Sequence, residues 1–246
     1  MRLLLTNDDG IFSPGILQLA DMAIADGHEV YVCAPDRECS AVGHAITVFE
    51  PLRVRPYPID GGHAFAITGK PADCVRLGLF TLIDQPIDLV ISGINRGFNT
   101  GTNCVYSGTV AAAVEAAMQG YPALAASTSY KVTDYSAAAR FTLNMALWTA
   151  ENPPPDGAIY NLNIPDRPFD AIEGPRWAPL ARRLYNIEGY EKRTAPIKYD
   201  YYLLMEDPLT EFDPGSDAAL SAAGCAAMTA LTWDMTYHGD LPVLPG

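Results

Sequence analysis

Asp8 and Asp9 stand side by side in the opening stretch MRLLLTNDDGIFSPG, where a strongly apolar run stops. Two like charges this close do not both ionise cheaply, and one is pushed toward neutrality unless a cation sits between them. An Asp-Asp-Gly turn facing solvent is the plain alternative. The company the pair keeps weighs against that alternative. Ser40 lies in APDRECSAVGH, Asn95 and Asn99 lie in SGINRGFN, and Ser107, Gly108 and Thr109 lie in VYSGTVAAAVEAAMQG. Carboxylate, hydroxyl and amide oxygens with no His or Cys cluster among them select a hard cation: magnesium, manganese or calcium rather than zinc. Such an ion offsets the crowded charge and gives an anionic substrate a reason to approach. Ser107 is a fair N-cap. Gly108 and Thr109 leave free backbone N–H groups at the positive end of the helix that follows, which is a ready anion site.

Other chemistries fit less well. The pattern G-x-S-x-G is absent around Ser107, and GINRGFNTG lacks the Gly-Lys-Ser/Thr of a Walker A loop. Among the four histidines, His28 follows the helix-ending Gly27, His63 sits in a GGH turn and His238 lies in the tail. His44, close to Ser40 along the chain, is the one placed near the site, with a structural role as the alternative. A Ser-His-Asp triad has little support.

The segments that must hold these residues alternate in type. RLLLT reads as a strand buried on both faces, followed by a helix capped at Ser13 with Pro14 first and Ile16, Ala20, Ala23 and Ile24 on its apolar side. Strands are expected at EVYVCAP, AFAIT, IDLVISG, PALAAS and AIYNLNIP. Helices are expected at KPADCVRLGLF, GTVAAAVEAAMQ and YSAAARFTLNMALWTAEN, with GINRGFNTGTNCVYSG as a loop. This rhythm predicts an α/β fold: a three-layer αβα, Rossmann-like, doubly wound and mostly parallel sheet. In such sheets ligands bind beyond the carboxyl ends of the strands, where the oxygen-bearing residues fall. The expected organisation is an α/β core over 1–170 and, over 171–246, a C-terminal hairpin arm around Gly189-Tyr190 and a tail that complete the same domain.

Composition narrows the partners. A formal net charge of −13 over 246 residues, with no Lys/Arg run, argues against nucleic acid and anionic membranes. Five cysteines without C-x-x-C spacing argue against a disulfide framework and a thiolate zinc site. Neither a secretory signal nor a stretch of membrane-spanning length is visible, so a cytoplasmic location is expected.

Taken in order, LLLTNDDGIFSPGI, APDRECSAVGHAIT, TGKPADCVRLG, ISGINRGFNTGTNCVYSGTVAAAVEA and YNLNIP resemble the successive blocks of the SurE (survival protein) 5′/3′-nucleotidases. The resemblance is nearly continuous over residues 1–165 and weaker through ARRLY and DPGSDAAL. It implies a metal-dependent phosphatase, a phosphoric monoester hydrolase acting on nucleoside 5′- and 3′-monophosphates, with short-chain polyphosphate as a further substrate. It implies one divalent ion per subunit, magnesium or manganese (calcium in crystals), held by Asp8, Asp9, Ser40 and Asn95. Asn99, Ser107, Gly108 and Thr109 would face the phosphate. Asp8 or Asp9 would act as base or nucleophile, with Asp-assisted attack by water preferred. Homodimers or homotetramers with exchanged C-terminal segments are also implied. The rival reading is a nucleotide- and metal-binding regulator that turns nothing over. A haloacid-dehalogenase-type phosphatase would need D-x-D in place of the adjacent pair. Two departures stand out: Lys70, where the family often carries a small hydroxyl residue, and an alanine-rich tail where relatives carry a β-branched strand.

Overall fold

A computed structural model of the chain describes residues 1–194 and 199–236; the end of the expected tail, His238 included, lies outside the described residues. Strand β1 (Arg2–Thr6) runs through the middle of the sheet, and Leu3, Leu4 and Leu5 are all fully buried. Because alternate side chains of a strand point to opposite faces, Leu3 and Leu5 enter one apolar layer and Leu4 the other.

The remaining elements follow in chain order. They are α1 (Pro14–Ala25), β2 (Glu29–Pro35), β3 (Val54–Tyr57), β4 (His63–Ile67), α2 (Pro71–Leu77) and β5 (Leu89–Arg96). Then come α3 (Asn103–Tyr106), α4 (Gly108–Met118), β6 (Ala123–Thr128), α5 (Ser136–Glu151), β7 (Ala158–Ile164) and β8 (Glu173–Trp177). The last are β9 (Tyr185–Thr194), β10 (Asp200–Pro208), α6 (Asp217–Ala223) and β11 (Cys225–Thr232). Nine strands form one sheet in the order β3-β4-β2-β1-β5-β6-β7-β11-β8. The run from β4 to β7 is parallel, as expected of β-α-β units. Helices α1 and α5 cover the face that receives Leu3 and Leu5, and α2 and α4 cover the other. The expected doubly wound α/β architecture is therefore present.

Several local expectations need correction. Pro14 does open α1 and Ser13 precedes it in extended backbone, but the Ser13 hydroxyl makes no cap hydrogen bond. Leu19 joins the buried side of α1 together with Ile16, Ala20 and Ala23, while Ile24 is only partly buried. The segment read as a loop from Gly93 onward begins as strand. β5 continues through Asn95 and Arg96 after a register shift against β6, where Ser92 pairs with Ala125 and Asn95 with Ser127. One extra residue on β5 is a bulge, a device that re-aims side chains at a sheet edge. Only glycine fits at Gly93: its φ is +142° and an added Cβ would lie 2.3 Å from the Ala126 carbonyl oxygen. The same loop then winds a single helical turn, α3.

Beyond residue 170 the arm is a two-stranded antiparallel ribbon of β9 and β10, with Gly189-Tyr190 inside β9 instead of at the turn. The alanine-rich segment is a strand of the main sheet, β11, antiparallel to β7 and parallel to β8. Ala226 and Ala227 are fully buried there. Ser216 caps α6 through the Ala219 N–H, and Gly224 ends it in the left-handed region. Among the described residues, no helix is long and apolar enough to cross a membrane.

Candidate active site

The carboxyl ends of β1, β5 and β6 open into a cleft of about 1610 Å³, walled on its far side by the root of the arm. Asp8, Asp9, Ser40, Asn95, Asn99 and Ser107 all line it. Residues separated by a hundred positions in the chain thus meet because their strands are neighbours in the sheet.

Asn7 builds the turn that presents the two carboxylates. Its amide donates to the Gly10 carbonyl at 2.9 Å, and its Oδ1 accepts the Gly10 N–H at 3.1 Å. Asp8 is buried, with its Oδ1 accepting the Thr109 hydroxyl at 2.5 Å and its Oδ2 accepting the Thr109 N–H at 3.0 Å. The Gly108 N–H also points toward this carboxylate. The start of α4 was expected to hold an external anion, but the anion held by Gly108 and Thr109 is the side chain of Asp8. Thr109 is fully buried and stands behind Asp8, away from the open cleft. Gly108 permits this approach, since an added Cβ would fall 2.8 Å from the Asp8 Cβ.

Asp9 Oδ2 accepts the Arg96 N–H at 3.1 Å. Burial pushes both carboxyls above their ordinary range. Hydrogen bonds from Thr109 oppose that rise at Asp8, while the neighbouring Asp8 charge adds to it at Asp9, which reaches about 6. No basic side chain forms an ion pair with either carboxylate among the described residues.

The other residues supply neutral oxygens. Asn95 turns its amide nitrogen to the Gly97 carbonyl at 2.7 Å, which leaves Oδ1 without a donor among the described residues. Ser40 is exposed, and its hydroxyl donates to Glu38 Oε1 at 2.8 Å, so its lone pairs remain available. Ser107 Oγ caps α4 by accepting the Val110 N–H at 3.1 Å, and its own hydrogen is left to donate. One Asn99 amide hydrogen goes to Ser127 Oγ at 2.9 Å; the second has no acceptor among the described residues.

This donor set fits a divalent hard cation. Two partly desolvated carboxylates, without an ion-pair partner among the described residues, sit in one cleft with a hydroxyl and an amide oxygen, as oxygen-preferring ions require. Among the described residues no three His, Cys, Asp or Glu side chains gather at a single point, so an ion here would draw on those neutral oxygens too.

Several supporting residues were not singled out from the sequence. Asn161 and Asn163, both fully buried on one face of β7, donate to the Asn99 carbonyl at 2.8 and 3.0 Å, and Asn163 Oδ1 accepts the Asn99 N–H at 2.8 Å. Two amides at period two inside an apolar strand are a readable signal, because buried polar groups require partners. Glu38 and Arg96 gave no such signal. His44 does not line the cleft; its Nε2 lies 2.9 Å from Glu115 Oε2, tying the loop after Ser40 to α4. Lys70 stands at the start of α2, also off the cleft wall.

The model of the family described as Survival protein SurE matches residues 3–187. A 5′-nucleotidase SurE of Symbiobacterium thermophilum is 44% identical over 97% of this chain and 95% of its own length. Another, of Syntrophobacter fumaroxidans, is 41% identical over 99% of this chain and 98% of its own. The crystal structure of the SurE protein from Aquifex aeolicus superposes with a TM-score of 0.84 at 32% identity, covering 96% of this chain and 95% of that one. With a family match over most of its length and relatives aligned nearly end to end, the chain belongs to the SurE family.

Proposed function

We propose that the chain is a divalent-metal-dependent nucleotidase that hydrolyses nucleoside 5′- and 3′-monophosphates to nucleoside and phosphate, and that releases the terminal phosphate of short polyphosphate by the same chemistry. The observation that carries this reading is the Asp8–Asp9 pair, desolvated, in no ion pair among the described residues and facing a cleft at the carboxyl edge of a parallel sheet. The relatives' name, 5′-nucleotidase, supports it.

One magnesium or manganese ion per subunit would be held by Asp8, Asp9, Ser40 and Asn95. When bound, a divalent ion supplies Lewis-acid polarisation of a phosphoryl oxygen. Thr109 fixes both oxygens of Asp8, so that carboxylate acts as a rigid ligand. Asp9 keeps Oδ1 clear of protein donors among the described residues, and it is the carboxylate better placed to take the proton of an attacking water. Asn99 and Ser107 each retain one hydrogen to donate to phosphate oxygens as charge develops on them. Gly108 and Thr109 act one step back, through Asp8.

Residues 1–170 are assigned to the nucleotidase core and 171–246 to the arm and tail that complete the same domain and join subunits into a homodimer or homotetramer. The five cysteines are free and buried, which suits a reducing cytoplasm. The deciding experiment measures phosphate released from AMP with manganese or magnesium, with EDTA, and in Asp9→Asn. Release that needs the ion and falls at least about 100-fold in the variant is expected. Intact protein that binds AMP but releases no phosphate with any divalent ion is a binder and ends this reading.

A further inference from the structure

The cleft carries more positive charge than the reaction at Asp8 and Asp9 uses. Arg96, Arg182 and Arg183 are its basic side chains. Arg96 is engaged, donating from Nε to the Tyr130 carbonyl at 3.0 Å. Arg182 and Arg183 are exposed, and their guanidinium groups have no hydrogen-bond or ion-pair partner among the described residues. Asp8, Asp9, Glu38 and Glu206 line the same space, yet neither arginine pairs with any of them. Two guanidinium groups left unpaired on the wall of a cleft that also holds four carboxylates, in a chain of net charge −13, are free to take an outside anion.

The backbone that presents them is firmly held. Asp217, fully buried, accepts the Ala181 N–H at 2.8 Å, the Gly101 N–H at 2.9 Å and the Ala218 N–H at 2.7 Å. Asp213 Oδ2 accepts the Arg182 N–H at 3.0 Å, and Leu184 just beyond is buried. Gly101 packs so closely that an added Cβ would lie 2.6 Å from the Ala181 carbonyl oxygen. The arginine pair is thereby locked to the loop that carries Asn99. A pair of guanidinium groups rising from an anchored backbone matches the planar, bidentate recognition of phosphate. Space is also ample: a cleft of about 1610 Å³ exceeds the roughly 300–1,000 Å³ of ordinary small-ligand sites.

We propose that Arg182 and Arg183 form a second anion subsite, and that the cleft takes phosphomonoesters bearing a further phosphate, of which nucleoside 3′,5′-bisphosphates are the class, ahead of the simple monophosphates. The inference rests on the phosphomonoesterase reading for its substrate but not for its binding. One phosphate sits at the carboxylate end, where hydrolysis occurs, and the other is held by the two guanidinium groups.

The test compares AMP with adenosine 3′,5′-bisphosphate in the metal-loaded full chain, the parent against Arg182→Met/Arg183→Met and Arg182→Lys/Arg183→Lys. In the parent, kcat/KM for the bisphosphate exceeds that for AMP by at least about tenfold, chiefly through a lower KM. In the Met variant that ratio collapses toward one, and in the Lys variant it is partly kept. A parent ratio near one overturns the proposal. So does an equal loss on both substrates in the Met variant, which would place the arginines at the reacting phosphoryl group or in folding. Calorimetric binding of adenosine 3′,5′-bisphosphate to the parent and to the Met variant gives an answer without turnover. If AMP is not hydrolysed yet the bisphosphate binds at least about tenfold tighter to the parent, the subsite stands and only the nucleotidase reading falls.

Discussion

Thr109 fixes the orientation of Asp8, with both its hydroxyl and its N–H spent on that one carboxylate. Thr109→Val keeps the shape and removes one charge-assisted hydrogen bond. Phosphate release from AMP is expected to fall about 10- to 100-fold, because small misplacements at a reacting centre cost that much. Thr109→Ser restores the donor and should recover most of the rate; a fully active valine variant would show that Asp8 needs no such brace. Asp9 makes a second prediction at this scale. Its folded-state pKa, about 6, lies above the ordinary aspartate value of 3.8. Between those values the metal-free folded chain holds a proton that the unfolded chain has released. The stability Asp9 contributes without metal is therefore fully present below about pH 4 and lost as pH rises through about 6. A divalent ion must displace that proton, so its apparent affinity should climb up to about tenfold per pH unit from pH 5 to 6 and then level off. Calorimetric titration with manganese checks this, and an affinity flat across that range would contradict it.

Between elements, the decisive contact is the end of β1 against the start of α4, where Gly108 lets the Asp8 Cβ approach. Gly108→Ala should force the two apart, at a cost of about 1–3 kcal/mol in denaturant unfolding together with loss of metal affinity. Retention of both stability and affinity would mean that the juncture tolerates displacement. The elements that the sequence made legible share a cause. RLLLT, EVYVCAP and GTVAAAVEAAMQ carry either a continuous apolar run or a small-residue helix with its cap, and their places follow from burial alone. Of the candidate site, Asp8, Asp9, Ser40, Asn95, Asn99 and Ser107 were legible as oxygen-bearing residues at strand ends, and they do share one cleft. The use of Thr109 was not, because a helix start looks the same in sequence whether it faces a ligand or a neighbouring side chain. β11 was hidden for another reason: alanine has weak strand propensity, and its burial here depends on β7 and β8 supplying the surrounding ladder.

At the scale of the whole molecule, the arm and the main sheet end very differently. β9 and β10 hold each other and little else, leaving Ile187, Tyr190, Tyr202 and Leu204 exposed. These exposed aromatic and aliphatic side chains are the expected association surface of the proposed oligomer. Joining Asn186 to Asp207, which are paired across the ribbon, through a short turn shortens it in register. By light scattering, the full chain should run at a multiple of 26.5 kDa and the shortened one closer to a single copy. An unchanged mass would assign assembly to another surface. The main sheet closes differently. β11, the last of its strands to be synthesised among the described residues, inserts between β7 and β8. On the ribosome, β7 therefore waits with one flank bare until Thr232 has cleared the exit tunnel. A nascent chain stalled short of that point displays an open strand edge with unpaired backbone groups, the kind of surface that chaperones recognise and that drives co-translational clumping.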